Sequence, residues 1–238
     1  CSYCGGNNKV QQQINGRSGY FFKSIDSAVK DIQGFVSQGF ELIHICFDPD
    51  PAHKYYFDFF DKVRKENMDF ACVFEAWGCP DSDFLHAFAE TFKKKLKKCR
   101  ITISPESFSE TVRRTNKFPF YTNEQLEKAI IIGNFLGIPM EASFMSSLPG
   151  ETAADFIKTI EFGKKFKDIY GCEVNMGMPV LEPGSCLYEN PEKYGLKTLN
   201  KGFTGFMENR KLSIDIEHKD RPWGTAEKRC KYFQEMMK

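Results

Sequence analysis

Hydrophobic and polar positions alternate along this chain with two periods, one typical of β-strands and one typical of amphipathic helices. The short apolar runs predict strands at residues 40–47, 70–76, 100–104, 140–145 and 173–178. The segments with one apolar face predict helices at residues 24–37, 52–67, 82–98, 122–136, 153–166 and 225–238. Residues 7–18 are polar and rich in glutamine, so we predict a loop there.

Strands that are separated by helices must run parallel, because each helix returns the chain to the same edge of the sheet. The pattern therefore predicts an α/β fold, either a doubly wound sheet or part of a (β/α) barrel. In both architectures the functional residues gather at the carboxyl ends of the strands. We expect the chemistry of this chain at those ends.

Composition narrows the class of protein without naming a function. The 238 residues suffice for one large domain, and the formal net charge of +1 gives no signal for nucleic acid or an anionic membrane. No apolar run is long enough for a membrane span, and no signal peptide is visible. Most of the nine cysteines are scattered singly, which favours a reducing cytoplasm.

The first six residues carry the clearest chemical signal. Cys1 and Cys4 are three positions apart, so a tight turn can direct both thiolates at one soft metal centre. Tyr3 lies between them, and Gly5 and Gly6 allow the backbone to approach a bound group closely. The same spacing also suits half of a zinc site or a redox pair.

Carboxylates and hydroxyls follow the predicted strands, where they could bind ammonium and ribose groups. Taken singly, such residues more often form turns and cap helices. His44 alternates with apolar residues inside a predicted strand, and we interpret it as a hydrogen-bonded strand residue. The segments at the strand ends are 48–50, 75–79, 104–107, 146–150 and 179–184.

Several motifs share an order and spacing that resemble the radical S-adenosylmethionine (SAM) enzymes. The resemblance covers residues 1–194 and is strongest for the branch that usually carries a cobalamin-binding domain ahead of the barrel. The motifs are Cys1-Ser-Tyr-Cys4, Ile103-Ser-Pro-Glu-Ser107, Val112-Arg-Arg114, Tyr121-Thr-Asn-Glu124, Leu148-Pro-Gly-Glu-Thr152 and Pro183-Gly-Ser-Cys-Leu-Tyr188-Glu-Asn-Pro191.

The resemblance implies a partial (β/α)₆ TIM-like barrel over residues 1–195, with its first strand ahead of Cys1, and a C-terminal extension over residues 196–238. It also implies a [4Fe–4S] cluster and SAM, from which an electron generates a 5′-deoxyadenosyl radical. The family's first cluster cysteine would precede Cys1 by four positions. We therefore expect the chain as given to hold a cluster poorly and to be inactive alone.

The resemblance also assigns roles to individual residues. Cys1 and Cys4 correspond to two of the cluster ligands, and Tyr3 corresponds to an aromatic residue near the adenine. Asp48 corresponds to a partner of the SAM amino group, although the usual Gly-Gly-Glu is absent here. The remaining expected SAM contacts are Gly5, Gly6, Ser104, Glu106, Arg113, Met145 and Leu148.

In the same resemblance, Glu106, with Ser104, corresponds to contacts with the ribose or the methionine moiety. Arg113 is the candidate for binding the SAM carboxylate, with its neighbour Arg114 as competitor. The strand end from Met145 to Leu148 would contact adenine, largely through its backbone.

The implied partners are an unidentified substrate, an electron donor such as flavodoxin or ferredoxin, and a cobalamin domain outside this chain. The Asp-x-His-x-x-Gly signature of cobalamin domains is absent from these residues. A second hypothesis from another class remains open. In it, the chain is a non-catalytic α/β domain, and Cys1 and Cys4 form half of a structural zinc site.

Overall fold

The computed structural model describes residues 1–19, 21–48, 50–51, 53–179, 182–195 and 226–238. Within them, five parallel strands form one sheet in chain order. A doubly wound sheet would reverse its strand order, so the sequential order leaves the partial barrel of the two predicted architectures. The strands are β1 (Leu42–Asp48), β2 (Ala71–Ala76), β3 (Arg100–Glu106), β4 (Met140–Met145) and β5 (Glu173–Gly177).

Helices connect successive strands, and most of them agree with the hydrophobic pattern. Two short 3-10 turns cover Leu96–Lys98 and Pro191–Tyr194. The α-helices are α1 (Asn8–Asn15), α2 (Ile25–Ser37), α3 (Lys54–Lys65), α4 (Ser82–Thr91), α5 (Glu110–Asn116), α6 (Asn123–Phe135), α7 (Ala153–Tyr170), α8 (Cys186–Glu189) and α9 (Ala226–Met236).

The prediction of a loop over residues 7–18 is wrong, because α1 occupies most of that segment. The residues that indicate this helix are the two that cap its ends. The Asn7 side chain accepts hydrogen bonds from the Lys9 and Val10 amides, and Gly16 ends the helix in the left-handed conformation. No residue of α1 is buried, and its only two apolar side chains, Val10 and Ile14, are too few for the hydrophobic pattern to predict a helix. The helix predicted over 82–98 is also too long, because α4 ends at Thr91.

One face of the sheet packs against the helices through large apolar side chains. Phe74 on β2 is fully buried and contacts Tyr56 of α3 and Phe84 of α4, with ring centroids 5.1 and 4.9 Å apart. On β3, Ile101 and Ile103 are equally buried on this face. We call it the helix-covered face, and it holds the core of the domain.

Most alternate residues of the same strands are polar and form the opposite face, which we call the polar face. A network crosses it: Thr102 donates to Glu141 (3.2 Å), Arg100 makes an ion pair with Glu141 (3.0 Å), and Ser143 donates to Asn175 (2.7 Å). The polar face comprises His44, Cys46, Glu75, Arg100, Thr102, Glu141, Ser143 and Asn175.

Helix α9 packs against α7 and β5 and adds to the same core. Phe233 is fully buried there, and Arg229 makes a buried ion pair with Glu151 (3.1 Å). The boundary predicted at residues 195 and 196 lies beside residues outside the described ranges, so it stays a prediction. Among the described helices, none combines the length and apolar character that a bilayer crossing requires.

Candidate functional site

The cysteine turn lies at the carboxyl end of the sheet, where Ser2 fixes it. The Ser2 amide donates to the Asn116 carbonyl (2.8 Å), and its hydroxyl donates to the Asn116 side chain (2.8 Å). The Ser2 carbonyl accepts from the Leu187 amide (3.0 Å). Asn116 is itself buried and donates to the Pro149 carbonyl (2.8 Å). Cys1 and Cys4 therefore flank a residue that is hydrogen-bonded to two separate segments and, through Asn116, linked to a third.

Tyr3 connects the same turn to the end of β3. Its hydroxyl donates to the Glu106 carboxylate (2.9 Å), and Lys117 makes an ion pair with the same oxygen (3.4 Å). Glu106 adopts a left-handed backbone conformation (φ 64°) that L-residues rarely take. The predicted aromatic residue and the predicted polar residue of β3 thus meet in one network.

Burial dominates the electrostatics of this network. It raises the pKa of Glu106, and the nearby Lys117 and Tyr3 offset part of that rise. Burial lowers the pKa of Lys117, and the nearby Glu106 carboxylate offsets part of that decrease. Burial, and next to it Glu106, raise the pKa of Tyr3 well above its ordinary value. The phenol therefore stays protonated and acts as a donor.

Residues 182–187 hold the other side of the turn. The Gly5 amide donates to the Glu182 carboxylate (2.7 Å), and the Asn7 side chain donates to the Gly184 carbonyl (2.7 Å). A Cβ at Gly5 would lie 2.7 Å from the Pro183 carbonyl oxygen, closer than side chains tolerate. Only glycine fits there, which agrees with the predicted close approach. A Cβ at Gly6 would make an ordinary contact.

A cavity of about 770 Å³ opens beside the turn. Cys1 and Cys4 line it together with Trp77, which follows β2, and Cys186, which begins α8. Cationic side chains also line this cavity, namely Lys9, Arg114 and Lys117. The cavity thus combines thiols, an aromatic wall and positive charge.

The two candidate arginines have different surroundings. Arg113 is fully buried, and its guanidinium donates to the carbonyls of Pro105, Ser107 and Tyr121 and to the Asn123 side chain at 2.7–3.1 Å. Those bonds tie the loop after β3 to the start of α6. Arg114 stacks on the Phe120 ring (3.8 Å) and faces the cavity.

The other predicted site residues lie at or near strand ends. The backbone of Asp48 ends β1 and pairs with Ala76, but its side chain is outside the described part of the structure. Ser104 is half-buried on β3. Met145 ends β4 opposite Gly177, and Leu148 is fully buried below the following loop.

Sequence reasoning missed the residues that hold the turn. Asn116, Glu182 and Asn7 contact it directly, Lys117 is linked to it through Glu106, and none was predicted as a site residue. Asn7 precedes a helix and carries a capping signal that could have been recognised. The other three are polar residues of ordinary types, and only the tertiary structure places them beside the cysteines.

The described residues fit an iron–sulfur cluster through their donor chemistry. Cys1 and Cys4 line one cavity, and thiolates are the ligands of such clusters. Gly5 allows the turn to pack closely against the Pro183 backbone, and the hydrogen bonds of Ser2 and Tyr3 fix its orientation. The turn supplies two thiolates of the three that the resemblance implies.

Comparison with known proteins gives structural relatives only. No family model and no curated protein matches this sequence. A solved structure of the radical SAM methyltransferase TsrM from Kitasatospora setae, with cobalamin and a [4Fe–4S] cluster bound, has a TM-score of 0.62 at 14% identity. That alignment covers 76% of this chain and 35% of TsrM.

A second TsrM structure, with tryptophan and the SAM analogue aza-SAM bound, has a TM-score of 0.58 at 13% identity and covers 76% of this chain and 36% of TsrM. Methylornithine synthase (PylB) has a TM-score of 0.52 at 14% identity, over 79% of this chain and 51% of PylB. The chain thus spans between a third and about half of these proteins. Their likeness, with the open parallel sheet described above, shows that this chain has a radical SAM-like, partial TIM-barrel fold.

Proposed function

We propose that this chain is the core of a radical SAM enzyme, in which Cys1 and Cys4 are cluster ligands and SAM occupies the adjoining cavity. One observation carries the proposal: the turn between the two cysteines is hydrogen-bonded, through Tyr3, to Glu106 at the carboxyl end of β3. The radical SAM-like fold supports it independently. When bound, the cluster would supply the electron that cleaves SAM to methionine and a 5′-deoxyadenosyl radical.

The chain's own residues have three tasks in this proposal. Ser2 and Tyr3 orient the turn, so both thiols line the same cavity. Arg114 binds the SAM carboxylate, because its guanidinium lines the cavity whereas that of Arg113 is engaged by backbone carbonyls. Trp77 provides an aromatic wall that helps to exclude water from the reacting atoms.

The first test is iron and sulfide analysis after anaerobic reconstitution, followed by electron paramagnetic resonance of the reduced protein with and without SAM. We expect Cys1→Ala and Cys4→Ala to lose the cluster, and Cys79→Ala to retain it as a matched control. A spectrum that changes on addition of SAM would indicate binding at the cluster. Tightly bound zinc, with no response to SAM, would instead support the structural zinc site.

The same experiment tests the expectation that the chain as given holds a cluster poorly. We expect a substoichiometric cluster in these 238 residues, because the cysteine turn supplies two of the three thiolates that the resemblance implies. A complete and stable four-iron cluster in the chain alone would contradict that expectation.

A second test separates the two arginines. Loss of a hydrogen bond to a charged group costs about 1.5–3 kcal/mol, so Arg114→Ala should weaken SAM binding by roughly 10- to 100-fold in equilibrium titration. Arg17→Ala is the matched control, because Arg17 also stacks on a phenylalanine (4.4 Å to the Phe21 ring) and is exposed elsewhere. Equal affinity in the Arg114 and Arg17 variants would refute the assignment.

The finer form of the proposal is a cobalamin-dependent methyltransferase-like protein that works in the cytoplasm with a flavodoxin or ferredoxin as electron donor. Its cobalamin domain would lie outside this chain. The presence of cobalamin in the TsrM structure supports this form. Cobalamin-dependent methyl transfer from labelled SAM by this chain together with a cobalamin-binding domain would test it, and transfer without cobalamin would contradict it.

A further inference from the structure

Three side chains with metal-binding atoms, none of them in the cysteine turn, converge on the polar face. His44 and Cys46 lie two residues apart on β1, so both point to the same side of the sheet. Glu75 lies on the neighbouring strand β2, where Ile45 pairs with Phe74. The imidazole nitrogen, thiol sulfur and carboxylate oxygen all lie within 4.8 Å of one another. Among the described residues, this is the only such group of three.

The carboxylate of Glu75 has an unsatisfied atom in this cluster. Its Oε1 lies 3.1 Å from His44 Nε2, as expected for a hydrogen-bonded strand residue. Its Oε2 is buried and finds no hydrogen-bond donor among the described residues. A buried carboxylate oxygen without a partner is costly, and a bound cation is one way to satisfy it.

Glu141, a second carboxylate of the same face, provides the contrast. Its Oε2 meets Thr102 and Arg100, and its Oε1 accepts from Asn175. The polar face therefore satisfies one carboxylate entirely with protein groups. It leaves the other facing a histidine and a cysteine.

We propose that His44, Cys46 and Glu75 form a zinc-type site with three protein ligands. Nitrogen, sulfur and carboxylate oxygen are the donors that Zn²⁺ uses in proteins, and three protein ligands leave a fourth position for water or a substrate group. Tetrahedral zinc spaces its ligand atoms by roughly 3.5 Å. The three donor atoms now lie within 4.8 Å of one another. The partly exposed His44 and Cys46 side chains can rotate to bring them to the shorter spacing.

The surroundings give the fourth position access to a ligand. His44 also lines a cavity of about 600 Å³ with aromatic walls that include Phe22 and Tyr55. That cavity shares Gly6 and Trp77 with the one beside the cysteine turn. A molecule that reaches from one cavity to the other would meet both the proposed metal and the cysteine turn.

The test uses cobalt(II) as a spectroscopic substitute for zinc. It uses the full chain carrying Cys1→Ser and Cys4→Ser, so the first thiol pair cannot contribute and the radical SAM proposal is tested separately. We expect one equivalent of cobalt, a thiolate-to-cobalt charge-transfer band, and displacement by zinc. In this background Cys46→Ser should abolish the band, and His44→Ala and Glu75→Gln should weaken binding at least about tenfold.

Two matched controls complete the experiment. Cys79→Ser removes another thiol near the end of β2, and Glu141→Gln removes the carboxylate that protein groups already satisfy; both should leave cobalt binding unchanged. No cobalt uptake, or equal uptake after Cys46→Ser, would overturn the proposal. Should the doubly substituted chain fail to fold by circular dichroism, the wild-type chain and Cys46→Ser are compared instead, and their cobalt stoichiometry should differ by one.

Discussion

The two faces of the sheet are built from the same five strands but differ in almost every physical respect. On the helix-covered face, Phe74 and Ile101 are completely buried among apolar side chains. On the polar face, Ser143 and Asn175 bond to each other and remain partly exposed. Because side chains alternate along a strand, each strand supplies stability through one set of residues and chemistry through the other.

The largest expected effect comes from the helix-covered face. Phe74→Ala removes a fully buried ring that contacts Tyr56 and Phe84, so the free energy of unfolding should fall by about 4 kcal/mol. Urea denaturation followed by circular dichroism measures it. Phe21→Ala is the control, since Phe21 is 59% exposed and should lose far less. Similar losses at both positions would contradict the comparison.

The next effect concerns a charged pair that is buried despite its polarity. Glu106→Gln leaves Lys117, whose side chain is fully buried, without its carboxylate, and should cost about 3–4 kcal/mol. Glu106→Gln combined with Lys117→Met removes both charges and should recover most of that loss. Denaturation of Glu106→Gln, Lys117→Met and the double variant measures the coupling. If the two substitutions simply add, the pair is not the source of the cost.

A smaller, pH-dependent effect is expected at the second buried pair. Burial raises the pKa of Glu151 to about 7, against hydrogen bonds from Ser147 and Arg229 that lower it. A carboxyl with a raised pKa holds its proton more tightly in the folded state, so its contribution to stability falls as pH rises from about 4.5 to about 7. Glu151→Gln cannot titrate and leaves the charge of Arg229 unpaired at every pH.

The measurement is therefore the difference in unfolding free energy between wild type and Glu151→Gln. We expect the wild type's advantage to shrink by about 2–3 kcal/mol between pH near 4 and pH near 8. A constant difference across that range would show that Glu151 has the same pKa in the folded and unfolded states.

The smallest effect belongs to the polar face. Ser143→Ala removes a hydrogen bond to Asn175 that lies near solvent, so stability should change by no more than about 0.5 kcal/mol. Thermal unfolding of the same preparation suffices to measure this. A loss approaching that of Phe74→Ala would mean that the polar face also holds the fold together.

Much of the fold follows from the hydrophobic pattern, because apolar periodicity records which side chains are buried. The predicted strand over 140–145 matches β4, and Gly137 follows the end of α6 as predicted. The pattern failed for α1, which buries nothing and depends on its caps. It also missed α5, a helix of seven residues that is too short to display a period.

The site was predictable only in part. Tyr3 and Glu106 were both predicted as site residues, and the structure joins them by a hydrogen bond. Arg113 and Arg114 could not be separated, since adjacent helical residues differ by a rotation that depends on what the helix packs against. The burial of Lys117 carries no sequence signal, because lysine is usually solvated and its carboxylate partner lies eleven residues away.

The hydrogen bonds by which residues 182–187 hold the cysteine turn have a consequence for when the turn forms. The hydrogen bond between Gly5 and Glu182 joins residues separated by 177 positions, and Ser2 depends equally on Leu187. During translation, Cys1 and Cys4 leave the ribosome long before residues 182–187 have been synthesised. The cysteine turn therefore takes its final shape only after translation has passed the fifth strand and residues 182–187.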